Sequence, residues 1–519
     1  MYKNYNMNQL VLPLDLEIKL QPNDIAFSIN NLVESIPEEA FASFLRQTGC
    51  PAYHPKMMLK LLLCGYSQSA FSGRKIEDMT KDSIRMMWLA QGYEPSYRTI
   101  NRFRAHPQMQ ILLKQCFIQF RCQLVEQKII GTEAIFIDGT KIEANANKFT
   151  FVWKKSVEKY QENLIKKSNQ IYEELVEKQI IPAIEREDEE QLTLSELKQV
   201  ATHLEEKVNE YTTKIEESTC TTQRKLLRFE RKTPKQLLKQ ISDFLSRKEK
   251  YKNDLLILGS RNSYSKTDPD ATFMRMKDDY MQNGQLKAGY NIQIATQGQY
   301  SLAYGVYSNP TDTKTLIPFL EEIEMNYFEL PKHIVADAGY GSEANYNNIL
   351  QRDRVPLITY NQYRNERKRK NLKDPFNTNN WNYNIEEDSF TCPNNNKLVY
   401  KYPSIRTDNN GFTRHLKVYE CEECGSCPLK SHCTKATGNR KIRINTNWEQ
   451  QKEYVRSKLS EAKTGEIYRQ RKIDVEPVFG FLKANLGFTR FSLRGKPKVE
   501  TEIGLALMAT NIRKLVANS

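Results

Sequence analysis

The chain has 519 residues, 39% hydrophobic and 27% charged, a length that suits roughly three domains. No apolar run approaches the ~18 residues that span a bilayer, and the opening MYKNYNMNQLVLPLDLEIKL lacks the basic-then-apolar order of a signal peptide, so no membrane partner is expected and a cytoplasmic location is. Lys and Arg total 77 against 63 Asp and Glu, and the resulting formal charge of +14 favours a polyanionic partner such as nucleic acid.

In chain order, residues 1–130 read as a helical N-terminal domain, with apolar faces and basic residues alternating at helical spacing. Its end, Tyr97 to Arg104, gathers Arg98, Arg102 and Arg104 on a segment that suits a DNA backbone or an ordinary solvated face. Residues 131–152 start a different kind of structure: Ala134-Ile135-Phe136-Ile137 is strand-forming and Asp138-Gly139-Thr140 is a turn signal, so Asp138 is expected at a strand's C-terminal end. Residues 153–260 form a charged helical insertion, read as a long antiparallel hairpin or bundle broken near Pro182. Strand candidates return in 261–360 as GYNIQIATQ and SLAYGVYS, followed by the helix TKTLIPFLEEIEMN, the segment HIVADAG with Asp337, and the strand VPLITY. This alternation predicts an α/β fold with a mixed sheet covered by helices. Residues 361–447 are basic and Cys-rich, and 448–519 are helical, carrying Glu476 and a last helix suited to core packing.

Three acids stand in unusual settings. Asp138 and Asp337 each follow an apolar run and precede small residues, Gly139 or Ala338 and Gly339, which let a bulky ligand approach the backbone. A single Asp after a strand is usually a turn former; two in one context, with Glu476 on a basic helix, have the composition of a site for two hard divalent cations. Open sheets place ligands at such strand ends.

Ten cysteines in so long a chain do not suggest a disulfide framework. Cys421, Cys424, Cys427 and Cys433 are spaced as ligands of a closed zinc site, with Cys392, His415 and His432 as further candidates; an iron–sulfur cluster or plain reduced thiols are the alternatives.

The segments FIDGTKIEANANK, AGYNIQIAT, VADAGYGSEANY and YRQRKIDVEPVFGFLKANLGFTRFSLRG resemble those of DDE transposases from bacterial insertion sequences, nearest the insertion-sequence-eleven-eighty-two-like group. The resemblance covers nearly the whole chain, and its C-terminal motif is the most specific part. It implies a ribonuclease-H-like sheet with an inserted helical segment, and Asp138, Asp337 and Glu476 as catalytic ligands of two Mg²⁺ or Mn²⁺ ions. Tyr468, Arg471, Glu476 and Lys483 resemble the Tyr–Arg–Glu–Lys series of related transposases, with an Arg-to-Glu gap one residue longer. The expected DNA contacts are Tyr468, Arg471 and Lys483, joined by Arg490 and Arg494 just beyond that helix. The implied activity is metal-dependent cleavage at element ends and strand transfer to target DNA. The implied partners are double-stranded DNA, as terminal inverted repeats and target, and a second copy in an active homodimer near the nucleoid. A metal-dependent nuclease and an inactive, transposase-derived DNA-binding protein remain as alternatives.

Overall fold

Ala134-Ile135-Phe136-Ile137 suits the interior of a sheet, because apolar and β-branched side chains pack on a surface covered on both faces. In this computed structural model, which describes residues 16–44, 51–276, 284–408 and 411–518, that run opens strand β1 (Ala134–Glu143). Strands β2 (Leu286–Gln297), β3 (Tyr300–Tyr307), β4 (His333–Ala336) and β5 (Val355–Ile358) join it in the order β3-β2-β1-β4-β5. β1 and β4 are parallel, as are β4 and β5, while β2 and β3 form an antiparallel hairpin. The hairpin closes through Gly298 and Gln299, both at positive φ (59° and 64°), the twist that two-residue turns require. The mixed sheet agrees with the sequence pattern.

One local expectation is corrected. Asp138 lies in the middle of a ten-residue strand, not at its end. β4 stops beside Ile137, but β1 still has β2 on its other edge, so the Asp-Gly step stays extended.

The chain divides into two compact units, residues 1–142 with 290–519, and residues 143–289. The second is the charged insertion. Its helices Lys154–Glu177, Leu194–Glu217 and Thr221–Leu258 enclose their own core of Leu164, Tyr172, Leu197, Val200, Ile241 and Phe244. Thr193 and Glu196 form a reciprocal capping box at the start of the middle helix. The strands Phe151–Trp153 and Ser263–Ser265 pair antiparallel where the chain enters and leaves this bundle.

Within the first unit, the basic and Cys-rich stretch forms a second sheet that its composition concealed. Strands β6 (Asn382–Asn384), β7 (Ser389–Thr391), β8 (Lys397–Thr407), β9 (Thr413–Cys421) and β10 (Lys441–Ile444) run antiparallel in sequential order. The last helix, Lys496–Asn518, is buried at Val499 and from Thr501 to Ile512 and packs against β3 and the buried helix Pro55–Ser67. Among the described residues no helix is long and apolar enough to cross a membrane.

The last helix meets β3 closely at Gly504, where an added Cβ would overlap the ring and hydroxyl of Tyr304. Gly504→Ala should lower stability by about 1–3 kcal/mol, the usual cost of overpacking, seen as a lower urea midpoint. In a Tyr304→Phe background the loss should shrink; an equal loss in both backgrounds would show that the hydroxyl is not the obstacle.

Candidate active site

The site grows from a register. β1 and β4 pair as Phe136↔Val335 and Ile137↔Ala336, so the next residues on the two chains are Asp138 and Asp337. Parallel neighbours in one register point to the same face, with backbones about 4.8 Å apart. Both aspartates are half-buried. Each has an oxygen held by backbone: Asp138 Oδ1 accepts from Gly139 N (2.7 Å) and Asp337 Oδ1 from Gly339 N (2.8 Å).

A third carboxylate stands there that sequence reasoning missed. Asp312 follows β3 in a short 3-10 turn, and its Oδ1 accepts from Asn291 Nδ2 (2.8 Å) and Gln293 Nε2 (3.1 Å). Gln293 Oε1 in turn accepts from the buried Tyr340 hydroxyl. Burial first, then the nearby charges of Asp312, Asp138 and Asp337, hold the Tyr340 phenol well above its ordinary pKa. A signal was present in the sequence: Asn291 and Gln293 are polar residues two apart in an otherwise apolar strand, and so share one face. Gly139 is needed for this packing, because an added Cβ would lie 2.8 Å from Asp312 Oδ1 and 3.1 Å from Tyr340 Oη.

The helix Ala462–Gly480 carries the remaining candidates. Tyr468 shares a hydrogen bond with Thr359 beyond β5 (3.1 Å), and Arg471 Nη1 lies 3.9 Å from Asp138 Oδ2. Asp474 accepts from the hairpin amides of Gly298 (2.7 Å) and Gln299 (3.3 Å), and burial raises its pKa. These side chains anchor the helix at three points. Glu476 lies two residues beyond Asp474, about 200° around the helix, and is exposed. It sits near the C-terminal end of the helix, just before Pro477. A π-helical turn, Phe481–Asn485, follows and contains half-buried Lys483. The register thus sets Asp138 beside Asp337, Asp312 lies against Gly139, and Glu476 is exposed on its helix. Among the described residues, no three His, Cys, Asp or Glu side chains are gathered into a metal-ligand group.

The other basic candidates separate by burial. Arg104, expected as a DNA contact, is 4% exposed and donates to Tyr66 Oη (3.0 Å) and the Phe71 carbonyl (2.6 Å), so its guanidinium braces the N-terminal helices and is not presented at the surface. Arg98, Arg102, Arg490 and Arg494 are exposed. The loop bearing Arg490 and Arg494 is tied down by the buried Glu502, which accepts from Ser492 N (3.0 Å) and Leu493 N (2.9 Å).

Two family models match the chain: "Transposase domain (DUF772)" over residues 14–106 and "Transposase DDE domain" over residues 391–516. No curated protein and no solved structure matches it. The second match includes Arg471, Glu476 and Lys483; Asp138 and Asp337 lie outside both.

Tyr340→Phe removes the donor to a buried amide oxygen. It should cost about 1–3 kcal/mol, the penalty for an unsatisfied buried acceptor, and lower the melting temperature. An unchanged melt would mean that Gln293 finds another donor.

Proposed function

Since the chain belongs to the DDE-type insertion-sequence transposases, we propose that Asp138 and Asp337 form the floor of the site that cuts and rejoins DNA. Their side-by-side register on β1 and β4 is the observation that carries this reading. The strand order β3-β2-β1-β4-β5 supports a ribonuclease-H-like core. The donor set fits hard divalent cations, because it offers carboxylate oxygens and no thiol. Asp138 and Asp337 would hold Mg²⁺ or Mn²⁺, and two such ions would activate the attacking oxygen and stabilise the leaving one. Water attacks a phosphorus at the element end, the P–O3′ bond breaks, and a 3′-OH is left. That hydroxyl then attacks a target phosphodiester; the new P–O bond forms as the target's own P–O3′ bond breaks. Arg471 orients Asp138, and Lys483, Arg490 and Arg494 receive DNA phosphates. Two element ends must be joined together, so the active form is a dimer on double-stranded DNA.

Glu476 would complete the ligand set by a turn of its helix toward the aspartates, with the π-helical turn taking up the change. A second reading, in which Asp312 is the third ligand, is favoured by the place of its Oδ1 against Gly139, the residue next to Asp138. The assay is incubation with the flanking inverted repeats and Mg²⁺, resolving cleaved strands and transfer of a labelled 3′-OH end. Asp138→Asn and Asp337→Asn should lose about a hundredfold or more in cleavage, since even residues behind a metal ligand are worth 10–100-fold, while end binding persists. Glu476→Gln should lose as much and Asp312→Asn far less; the reverse order would install Asp312. Cleavage retained in Asp138→Asn would remove the proposed floor, and cleavage without transfer would leave a nuclease.

Salt dependence tests the basic loop. Removing Arg490 and Arg494 together should reduce the slope of log Kobs against log salt by about 2, close to 0.9 per phosphate contact. An unchanged slope would take both residues off the DNA.

A further inference from the structure

Five thiols from separate turns line one small cavity beside the second sheet. Cys392 follows β7, Cys421 ends β9, Cys424 and Cys427 lie in the next loop, and Cys433 ends the short helix Lys430–Cys433. The cavity measures about 20 Å³ and is also lined by Phe376, Trp381 and Arg440. That is room for about one water-sized body, and too little for a multinuclear iron cluster.

The thiols are not equivalent. Cys433 lines the cavity together with Cys392, Cys424 and Cys427. Cys424 Sγ accepts a backbone hydrogen bond from Arg440 N (3.4 Å), the kind of contact that suits a thiolate. Cys421 is different. It shares the apolar cluster of Leu398 and Tyr419 with Cys424, but it is 2% exposed and donates its S–H toward the Glu423 carbonyl (3.7 Å). Its proton is in use.

Two further observations point to a ligand. The Arg440 guanidinium lies over Trp381 (5.4 Å) and donates to the Cys433 carbonyl, yet its buried Nε has no hydrogen-bond partner. A half-buried cation whose buried Nε is an unmet donor, beside neutral thiols, is an unbalanced arrangement; thiolates would balance it. The sheet also has a small core. Its buried cluster is Trp381, Leu398, Tyr419, Cys421, Cys424 and Ile442, whereas Tyr400, Tyr402 and Ile405 of β8 are exposed. Small cores of this kind are commonly completed by a metal or disulfides.

We propose that Cys392, Cys424, Cys427 and Cys433 bind one Zn²⁺ as a closed, structural tetrathiolate site, with Cys421 a packed thiol outside it. This replaces Cys421 by Cys392 in the set that sequence spacing suggested. The sulfurs line the cavity without yet being gathered as ligands, so side-chain rotation toward the ion accompanies binding. Each of four thiols gives up its proton, four Zn–S bonds form, and no redox change occurs. The site would hold the second sheet together and take no part in phosphodiester chemistry, so its test is independent of the transposase reading.

The experiment is elemental analysis of purified full-length protein, together with zinc release by a mercurial thiol reagent read with a chromogenic chelator. About one zinc per chain is expected. Cys424→Ser, Cys427→Ser and Cys433→Ser should each lose it, and Cys421→Ser should keep it. Because a ligand variant can simply fail to fold, the wild-type chain refolded with Co²⁺ gives a second readout: thiolate-to-cobalt charge-transfer absorption is expected. Protein without metal, iron in place of zinc, or a Co²⁺ form lacking that absorption would overturn the site. Zinc lost in Cys421→Ser but kept in Cys427→Ser would overturn the ligand set.

Discussion

Everything at the candidate active site depends on one enforced proximity of like charges. The parallel register of β1 and β4 carries Asp138 and Asp337 to adjacent positions on one face of the sheet. Carboxylates brought to neighbouring positions on one face repel each other. Backbone amides of Gly139 and Gly339 and the guanidinium of Arg471 offset that repulsion. The same need for positive charge makes the pair a suitable grip for hard cations and, through them, for a DNA phosphodiester.

The surroundings hold this arrangement still. Asn291, Gln293 and Tyr340 form a chain of hydrogen bonds that fixes Asp312 beside the aspartates. The helix Ala462–Gly480 is held by Tyr468 at one end and by Asp474 on the β2–β3 turn at the other, with Arg471 between them. The helix presents a cation, not its glutamate, to Asp138. An approach of Glu476 therefore has to exchange the Arg471 contact for another, and the π-helical turn at Phe481–Asn485 is a place where helix register can change without unwinding the rest.

Beyond the site, the molecule distributes its stability unevenly. The first unit is built around the buried helices Pro55–Ser67 and Lys496–Asn518, whose close packing admits even Lys60, paired with Glu34 and Asn30. The inserted unit has its own apolar seam and needs no partner to bury it. The second sheet is the least endowed with apolar residues, and it is there that the cysteines gather. Arg104 follows the same logic: a charge that looks like a DNA contact in the sequence closes a gap between helices in the fold.

Local patterns carried much of this in the sequence. β-rich runs marked β1 and β4, helical periodicity marked the insertion and the last helix, and the excess of Lys and Arg marked a polyanionic partner. The two aspartates were legible because each breaks an apolar run. Properties of neighbours along the chain are enough for such statements. The second sheet was hidden, because its strands are short or solvated and lack an apolar alternation. Tertiary structure alone decided that Asp138 lies mid-strand, that Asp312 comes near it from 174 residues away (312 − 138), and that Glu476 is exposed while Arg471 reaches Asp138. Those outcomes depend on strand register and on the rotation of one helix about its axis, and both are set by packing between segments distant in the chain.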